Sequence, residues 1–228
     1  AWNSRRAHQL KAYVDWIYTI FPFEKDFYVK YNCHNVTYVG NPSVEEVALY
    51  HQQHVVSKPA TATKPIIALL PGSRPQEIRR ILPTMLALIP HLPDYQFVVA
   101  AVSELRQELY QIAIETVGVQ VIYDQTYDIL SRASTAIVAS GTATLETALF
   151  KVPQVVVYQT DRLTYFIAKH LVKLRYISLV NILAGKEVVR ELIQHQLTTK
   201  NLLKAMEEII YNTDFRQEQL GNYAAIRD

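Results

Sequence analysis

The chain has 228 residues, 50% of them hydrophobic and 19% charged, with a formal net charge of +2 and a pI near 8.5. That is enough apolar material for one good-sized core or two small ones, and it excludes a disordered chain. So mild a charge, with no block of five or six consecutive basic residues, speaks against a nucleic-acid partner. The one cysteine, Cys33, has no partner for an intramolecular disulfide, so the cytoplasm is the default compartment, and no uninterrupted run of about 18 apolar residues offers a membrane span.

The opening AWNSRRAHQLKAYVDW carries neither the apolar core of a signal peptide nor an initiator methionine, so a longer parent protein is expected. From Val14 to Glu46 the pattern predicts strand, helix, strand and an Asn-Pro turn, taken as the last β-α-β of a preceding domain that ends near residue 43. Residues 44–228 are then a second domain with a helical tail, entered through the polar stretch SKPATATKP. IIALL, YQFVVAA, VQVIY, STAIVA and QVVVY read as strands. They alternate with helical patterns in PQEIRRILPTMLALIPHL, SELRQELYQIAIETV, YDILSRA and TATLETALF, which predicts a doubly wound α/β domain over about Lys64 to Tyr158. Beyond it, RYISLVNILAGKE is expected to be a loop, and VVRELIQ, TTKNLLKAMEEII and TDFRQEQLGNYAAIR to be helices.

In an open parallel sheet a ligand sits beyond the carboxyl ends of the strands, near the point where strand order reverses. Two segments fit such a place. IIALL runs into Pro71, Gly72, Ser73 and Arg74, with Pro75 suited to a first helical turn; free amides, the helix dipole and a permanent guanidinium there favour an anion. In AIVASGTATLETALF a strand ends at Ser140 and Gly141, and a helix opens with Thr142, Ala143 and Thr144, small enough for a phosphate to approach the backbone. Glu146, one turn in, is a natural acceptor for the vicinal hydroxyls of a ribose.

Taken alone, each turn is more often a purely conformational element; two in one sheet strengthen the case for a ligand. Neither is a Walker loop, a Gly-x-Gly-x-x-Gly fingerprint or a nucleophile elbow. His51 and His54 lack the further ligands of a metal site, Cys33 and His34 suit a packing pair, and Glu45 and Glu46 a solvated helix start. The stretch RLTYFIAKHLVKLRYISL aligns Arg162, Lys169 and Lys173 beside a broad apolar arc, which suits a membrane interface or a packed helix with snorkelling lysines.

Read in order, the motifs resemble the lipid-A-disaccharide synthase family. The resemblance rests on Leu70 to Arg74, on ASGTATLETALFKVPQVVVY (Ala139 to Tyr158) and on YISLVNILAGKEVVRELIQ (Tyr176 to Gln194). FPFEKDFY (Phe21 to Tyr28) and YVGNP (Tyr38 to Pro42) extend it over nearly the whole chain. It implies a GT-B architecture of two Rossmann-like domains, with this chain supplying the carboxy-terminal one and a remnant of the amino-terminal, acceptor-binding one. The implied reaction joins the sugar of UDP-2,3-diacylglucosamine to 2,3-diacylglucosamine 1-phosphate (lipid X) with inversion, releasing UDP, without metal or cofactor. On the same basis the anion becomes the UDP diphosphate, neutralised by Arg74 and met by Gly141, Thr142 and Thr144. Glu146 would hold the ribose, and Asn181 and Glu187 would be further contacts. The acceptor-activating base of the family lies in the amino-terminal domain, and no residue here is named for it, so the chain alone is expected to bind UDP without transferring sugar. The resemblance also implies a peripheral enzyme on the anionic inner face of the inner membrane, in a family whose members can exchange carboxy-terminal elements in a homodimer. The rival readings are a UDP-amino-sugar epimerase of the same fold and a non-catalytic binding module.

Overall fold

The computed structural model describes residues 4–54, 64–161 and 175–227, and the chain divides into two compact units, 1–50 and 51–228. In the first unit a helix, α1 (Ser4–Tyr13), precedes two short parallel strands, β1 (Ile17–Thr19) and β2 (Val36–Tyr38), joined by helix α2 (Pro22–Lys30). The FPFE motif explains the start of α2: Pro22 needs no amide partner in the first turn, and the Glu24 carboxylate accepts from the Ile20 and Phe21 amides at 3.2 and 3.1 Å. The YVGNP motif then starts α3 (Pro42–Gln53). Gly40 takes φ +91°, and the Asn41 side-chain oxygen accepts from the Ser43 amide at 3.0 Å.

The second unit is built on β3 (Ile66–Leu70), β4 (Gln96–Ala101), β5 (Val119–Tyr123), β6 (Ala133–Ala139), β7 (Gln154–Tyr158) and β8 (Arg190–Ile193). They form one parallel sheet in the order β5-β4-β3-β6-β7-β8. The four inner strands are almost continuously buried and mainly apolar, with many β-branched or small residues, as a sheet covered on both faces requires, whereas β5 and β8 at the edges are half exposed. On one face Ile67, Leu69, Phe97, Val99, Ile137, Val155 and Val157 pack with α4 (Pro75–Leu86) through Ile78, Ile81, Leu82 and Met85. The same cluster takes in Leu202, Met206 and Ile209 of α9 (Thr199–Tyr211). On the other face Val156 joins Ala148 of α7 (Thr142–Leu149), Val180 of α8 (Leu179–Ala184) and Tyr223 of α10 (Thr213–Arg227). This is the doubly wound α/β arrangement expected.

The expected strands are all present, and YDILSRA (α6, Thr126–Arg132), TATLETALF and the two last helices stand where the periodicity placed them. Three expectations are corrected. VVRELIQ supplies a sixth strand rather than a helix: Val188 and Val189 are buried, and β8 takes the open edge of β7 with Val155 opposite Arg190. Two apolar pairs, Val188–Val189 and Leu192–Ile193, separated by Arg190 and Glu191, fit either period, and the unpaired edge of β7 decided it. RYISLVNILAGKE is not all loop, since α8 forms within it and ends at Gly185 with φ +65°. SELRQELYQIAIETV makes only a 3₁₀ turn and the single turn α5 (Gln111–Ile114). There Tyr110 is fully buried, its hydroxyl accepting from the Val102 amide at 3.1 Å and its ring set edge-on to Tyr123, a tertiary anchor that overrides helix propensity. The basic stretch from Arg162 to Leu174 lies outside the described residues; next to it, the Arg175 guanidinium stands 5.3 Å from the centre of the Tyr176 ring. Among the described residues no helix is long and apolar enough to cross a membrane, and no cluster of three or more His, Cys, Asp or Glu offers a metal site.

Candidate functional site

Strand order reverses between β3 and β6. From β3 the chain moves outward through β4 to β5, returns to the far side of β3 as β6, and moves outward again through β7 to β8. The two turns singled out by sequence follow these two strands. Leu70 lies opposite Val138 in the ladder, so Pro71 to Arg74 and Ser140 to Thr142 leave the sheet side by side at its carboxyl edge. That is the switch-point crevice in which open α/β sheets bind ligands.

At the β3 turn Gly72 takes φ +104°, and a Cβ there would come within 2.7 Å of a Glu77 carboxylate oxygen and 3.5 Å of the Ala139 Cβ. Glycine is therefore favoured by the backbone conformation, while the Glu77 contact is with the tip of a side chain that can turn aside and the Ala139 contact is ordinary packing. Ser73 and Arg74 are exposed, and Pro75 opens α4, whose Gln76 and Glu77 amides precede the first intrahelical bond, from the Ile78 amide to the Arg74 carbonyl at 3.1 Å. The Arg74 guanidinium donates to the Glu77 carboxylate at 3.1 Å; the arginine side chain is 79% exposed and the glutamate side chain 14%. Glu77 was missed by sequence reasoning, although its position three residues after Arg74 on a helix start is a readable signal.

At the β6 turn Gly141 is extended at φ 164°, and a Cβ there would meet nothing within 4 Å, so the backbone fronts open space. Gly141 and Thr142 are exposed, and the Thr142 and Ala143 amides, in the first turn of α7, have no carbonyl to bond within the helix. Thr142 and Glu146 are one helical turn apart on one stripe, Glu146 half-buried, while Thr144, Leu145, Thr147 and Ala148 face inward. Thr144 is thus not the donor expected. It is fully buried, and its hydroxyl is spent on the Gly141 carbonyl at 2.8 Å, where it fixes the turn instead of reaching a ligand.

A third segment joins these two. The Ser140 hydroxyl donates to the Ile177 carbonyl at 2.9 Å, tying the β6 turn to the chain before α8. That chain is clamped by Glu191 of β8, whose carboxylate accepts from the Ile177 amide at 3.0 Å, the Ser178 amide at 2.9 Å, the Ser178 hydroxyl at 2.7 Å and the Asn181 side-chain amide at 2.8 Å. Asn181 is itself fully buried. Its side-chain nitrogen also donates to the Val189 carbonyl at 2.9 Å, and its oxygen accepts from the Val188 and Val189 amides at 2.7 and 2.9 Å. Two donors and two acceptor sites are all an asparagine side chain has, so the ligand contact expected of Asn181 is replaced by an internal brace. Ser178 and Glu191 were invisible to sequence reasoning because the partnership exists only once β8 joins the sheet.

Glu187 stands apart from the crevice. It pairs with Arg190 at 2.9 Å, and Arg190 reaches Glu208 of α9 at 3.1 Å; Arg190 is the first residue of β8, the edge strand, separated by β7 from the β3–β6 switch point. The two carboxylates hold the Arg190 guanidinium well above its ordinary pKa. At the carboxyl edge of β5, the Ser103 hydroxyl and amide beside Asp124 hold its carboxyl below the usual range.

The family described as lipid-A-disaccharide synthetase matches residues 1–226. The chain belongs to that family. The lipid-A-disaccharide synthase of Acinetobacter baylyi is 34% identical over 243 residues, a match that covers 98% of this chain and 61% of that relative. The chain therefore spans about three fifths of the length of such a synthase. Among solved structures, the UDP-GlcNAc 2-epimerase from Neisseria meningitidis bound to UDP-GlcNAc superposes with a TM-score of 0.59 at 16% identity, covering 92% of this chain and 59% of that one. The glycotransferase of kitacinnamycin gives 0.53 at 14%, over 85% and 45%. At such identities these show the fold alone: a Rossmann-like α/β domain of GT-B type.

Proposed function

We propose that this chain carries the nucleotide-binding part of an inverting glycosyltransferase of lipid A biosynthesis. The full enzyme would move 2,3-diacylglucosamine from UDP-2,3-diacylglucosamine to the 6-hydroxyl of 2,3-diacylglucosamine 1-phosphate (lipid X), giving the lipid A disaccharide 1-phosphate and UDP. The observation that carries this reading is the side-by-side exit of the Gly72–Arg74 and Ser140–Thr142 turns at the switch point, in a chain of the lipid-A-disaccharide synthetase family.

In this scheme the leaving diphosphate lies across the two turns. The amides at the start of α4 and α7 point at it from fixed positions, and Arg74 adds a cationic fork of donors. Charge grows on the diphosphate oxygen as the glycosidic bond breaks, and preorganised donors stabilise that change more than they stabilise the bound substrate. Gly72 and Gly141 let the backbone come close, Ser73 and Thr142 offer exposed hydroxyls, and Glu146 takes the ribose. Thr144, Ser140 and Asn181 act behind them, holding the turns and the 176–178 segment in place. Proton removal from the acceptor hydroxyl needs a base. None is assigned here, so the isolated 228 residues are expected to bind UDP and to make no disaccharide.

Acylated substrates also call for a membrane surface, which the basic stretch around Lys169 and Lys173 would provide on the anionic inner leaflet. Liposome co-sedimentation should weaken in the Lys169→Glu, Lys173→Glu double variant.

The deciding test is thermal unfolding with and without millimolar UDP. A ligand bound only by the folded state raises its stability by about 2.7 kcal/mol at a hundred times its Kd, so the midpoint should rise for the wild type and much less for Arg74→Ala. Equal midpoints in all four conditions would remove the proposed site from this chain. Turnover of UDP-GlcNAc without any lipid would favour an epimerase instead.

A further inference from the structure

Arg74 is the charge on which the proposed diphosphate site depends, and in this structure that charge is already engaged. Its guanidinium donates to one Glu77 oxygen at 3.1 Å, and the other Glu77 oxygen lies tucked against Gly72, 2.7 Å from where a Cβ would stand. A glycine with φ +104° makes room for that carboxylate, whose side chain is 14% exposed while that of Arg74 is 79% exposed. Among the described residues Glu77 has no other ion-pair partner. The carboxylate therefore stands inside the anion cradle, between the glycine turn and the cation.

Building on the reading above, we propose that Glu77 is the resident counter-ion of Arg74, against which a nucleotide diphosphate must compete, and that it sets how tightly the crevice grips UDP. Two effects of Glu77 oppose each other. Holding Arg74 in place spares some of the rotamer entropy that a free arginine would lose on binding. Against that, a fixed negative group a few ångströms from the diphosphate both repels it and neutralises the arginine. An exposed ion pair orders a long side chain only weakly, so the preorganisation gained is small, whereas a shielded carboxylate facing a multiply charged diphosphate is repelled through less water. The repulsive effect wins. An enzyme that must release UDP after each transfer gains from a site that does not bind product to excess, because binding common to ground state and transition state adds nothing to kcat.

The test is calorimetric titration of the wild-type chain, Glu77→Gln, Arg74→Ala and the double variant with UDP, inorganic pyrophosphate and uridine. Glu77→Gln, which keeps the shape and removes the charge, should bind UDP and pyrophosphate about fivefold more tightly, the size of one modest ion pair. Uridine should be unaffected, and the gain should fall below about twofold in the Arg74→Ala background. Glu77→Asp, too short to reach Arg74 from the same backbone, should shift binding in the same direction and serves if the glutamine variant folds poorly. Weaker or unchanged UDP binding in Glu77→Gln, with Arg74→Ala still weakening it, would overturn the counter-ion role alone. Indistinguishable UDP titrations of wild type and Arg74→Ala would overturn the site assignment and this inference with it.

Discussion

The turn from Leu70 to Glu77 and the brace from Ile177 to Glu191 both carry residues that the sequence marks as ligand contacts, yet they use their polar groups in opposite ways. Around Asn181 each donor and acceptor is paired within the protein and the residue is fully buried. Around Arg74 the guanidinium is mostly solvent-exposed, helix-start amides have no intrahelical acceptor, and Gly141 beyond it fronts open space. A polar residue that is saturated internally stabilises the fold; one left with spare capacity at a switch point is available to a ligand.

The contrast can be broken from either side. Asn181→Ala strands the buried Val188 and Val189 amides and takes two donors from Glu191 and Val189, so it should lower stability by about 3 kcal/mol or more in urea denaturation. A loss below about 1 kcal/mol would mean that the brace is not structural. Gly72→Ala should cost about 2 kcal/mol, from positive φ and the contact with Glu77. Adding Glu77→Ala should return only the steric share, a recovery visible in the unfolding midpoint. Arg74→Ala should leave the unfolding free energy measured in urea within about 0.5 kcal/mol of wild type, since an exposed pair contributes little, while weakening UDP binding about tenfold or more. The smallest effect belongs to Glu187→Ala. With Arg190 still bonded to Glu208, its stability should change by less than about 0.5 kcal/mol and its UDP titration should not change. A clear loss of UDP binding there would restore Glu187 to the site.

Much of the fold was legible because parallel strands leave short apolar runs rich in β-branched residues, and IIALL, VQVIY and QVVVY begin and end where the strands do. The segment VVRELIQ was not, since nothing within four residues distinguishes an edge strand from a helical turn. Of the candidate site, the two turns themselves were legible: Gly72, Arg74, Gly141 and Thr142 stand where a strand gives way to a helix, and local sequence controls that backbone conformation. Thr144 and Asn181 have the right chemistry for a ligand, but their side chains are turned inward by partners 3 to 10 residues away.

What the sequence determined by itself is the set of strands, the glycine turns that end two of them, and the family, because these depend on short-range periodicity, on φ preferences and on motif order. Tertiary structure alone decided which turns became neighbours, that β8 closes the sheet beside β7, that Glu191 clamps the chain before α8, and that Glu77 faces Arg74 beneath Gly72. Those outcomes depend on strand order and on which hydrogen-bonding groups remain after packing, and both are properties of the assembled sheet rather than of any segment within it.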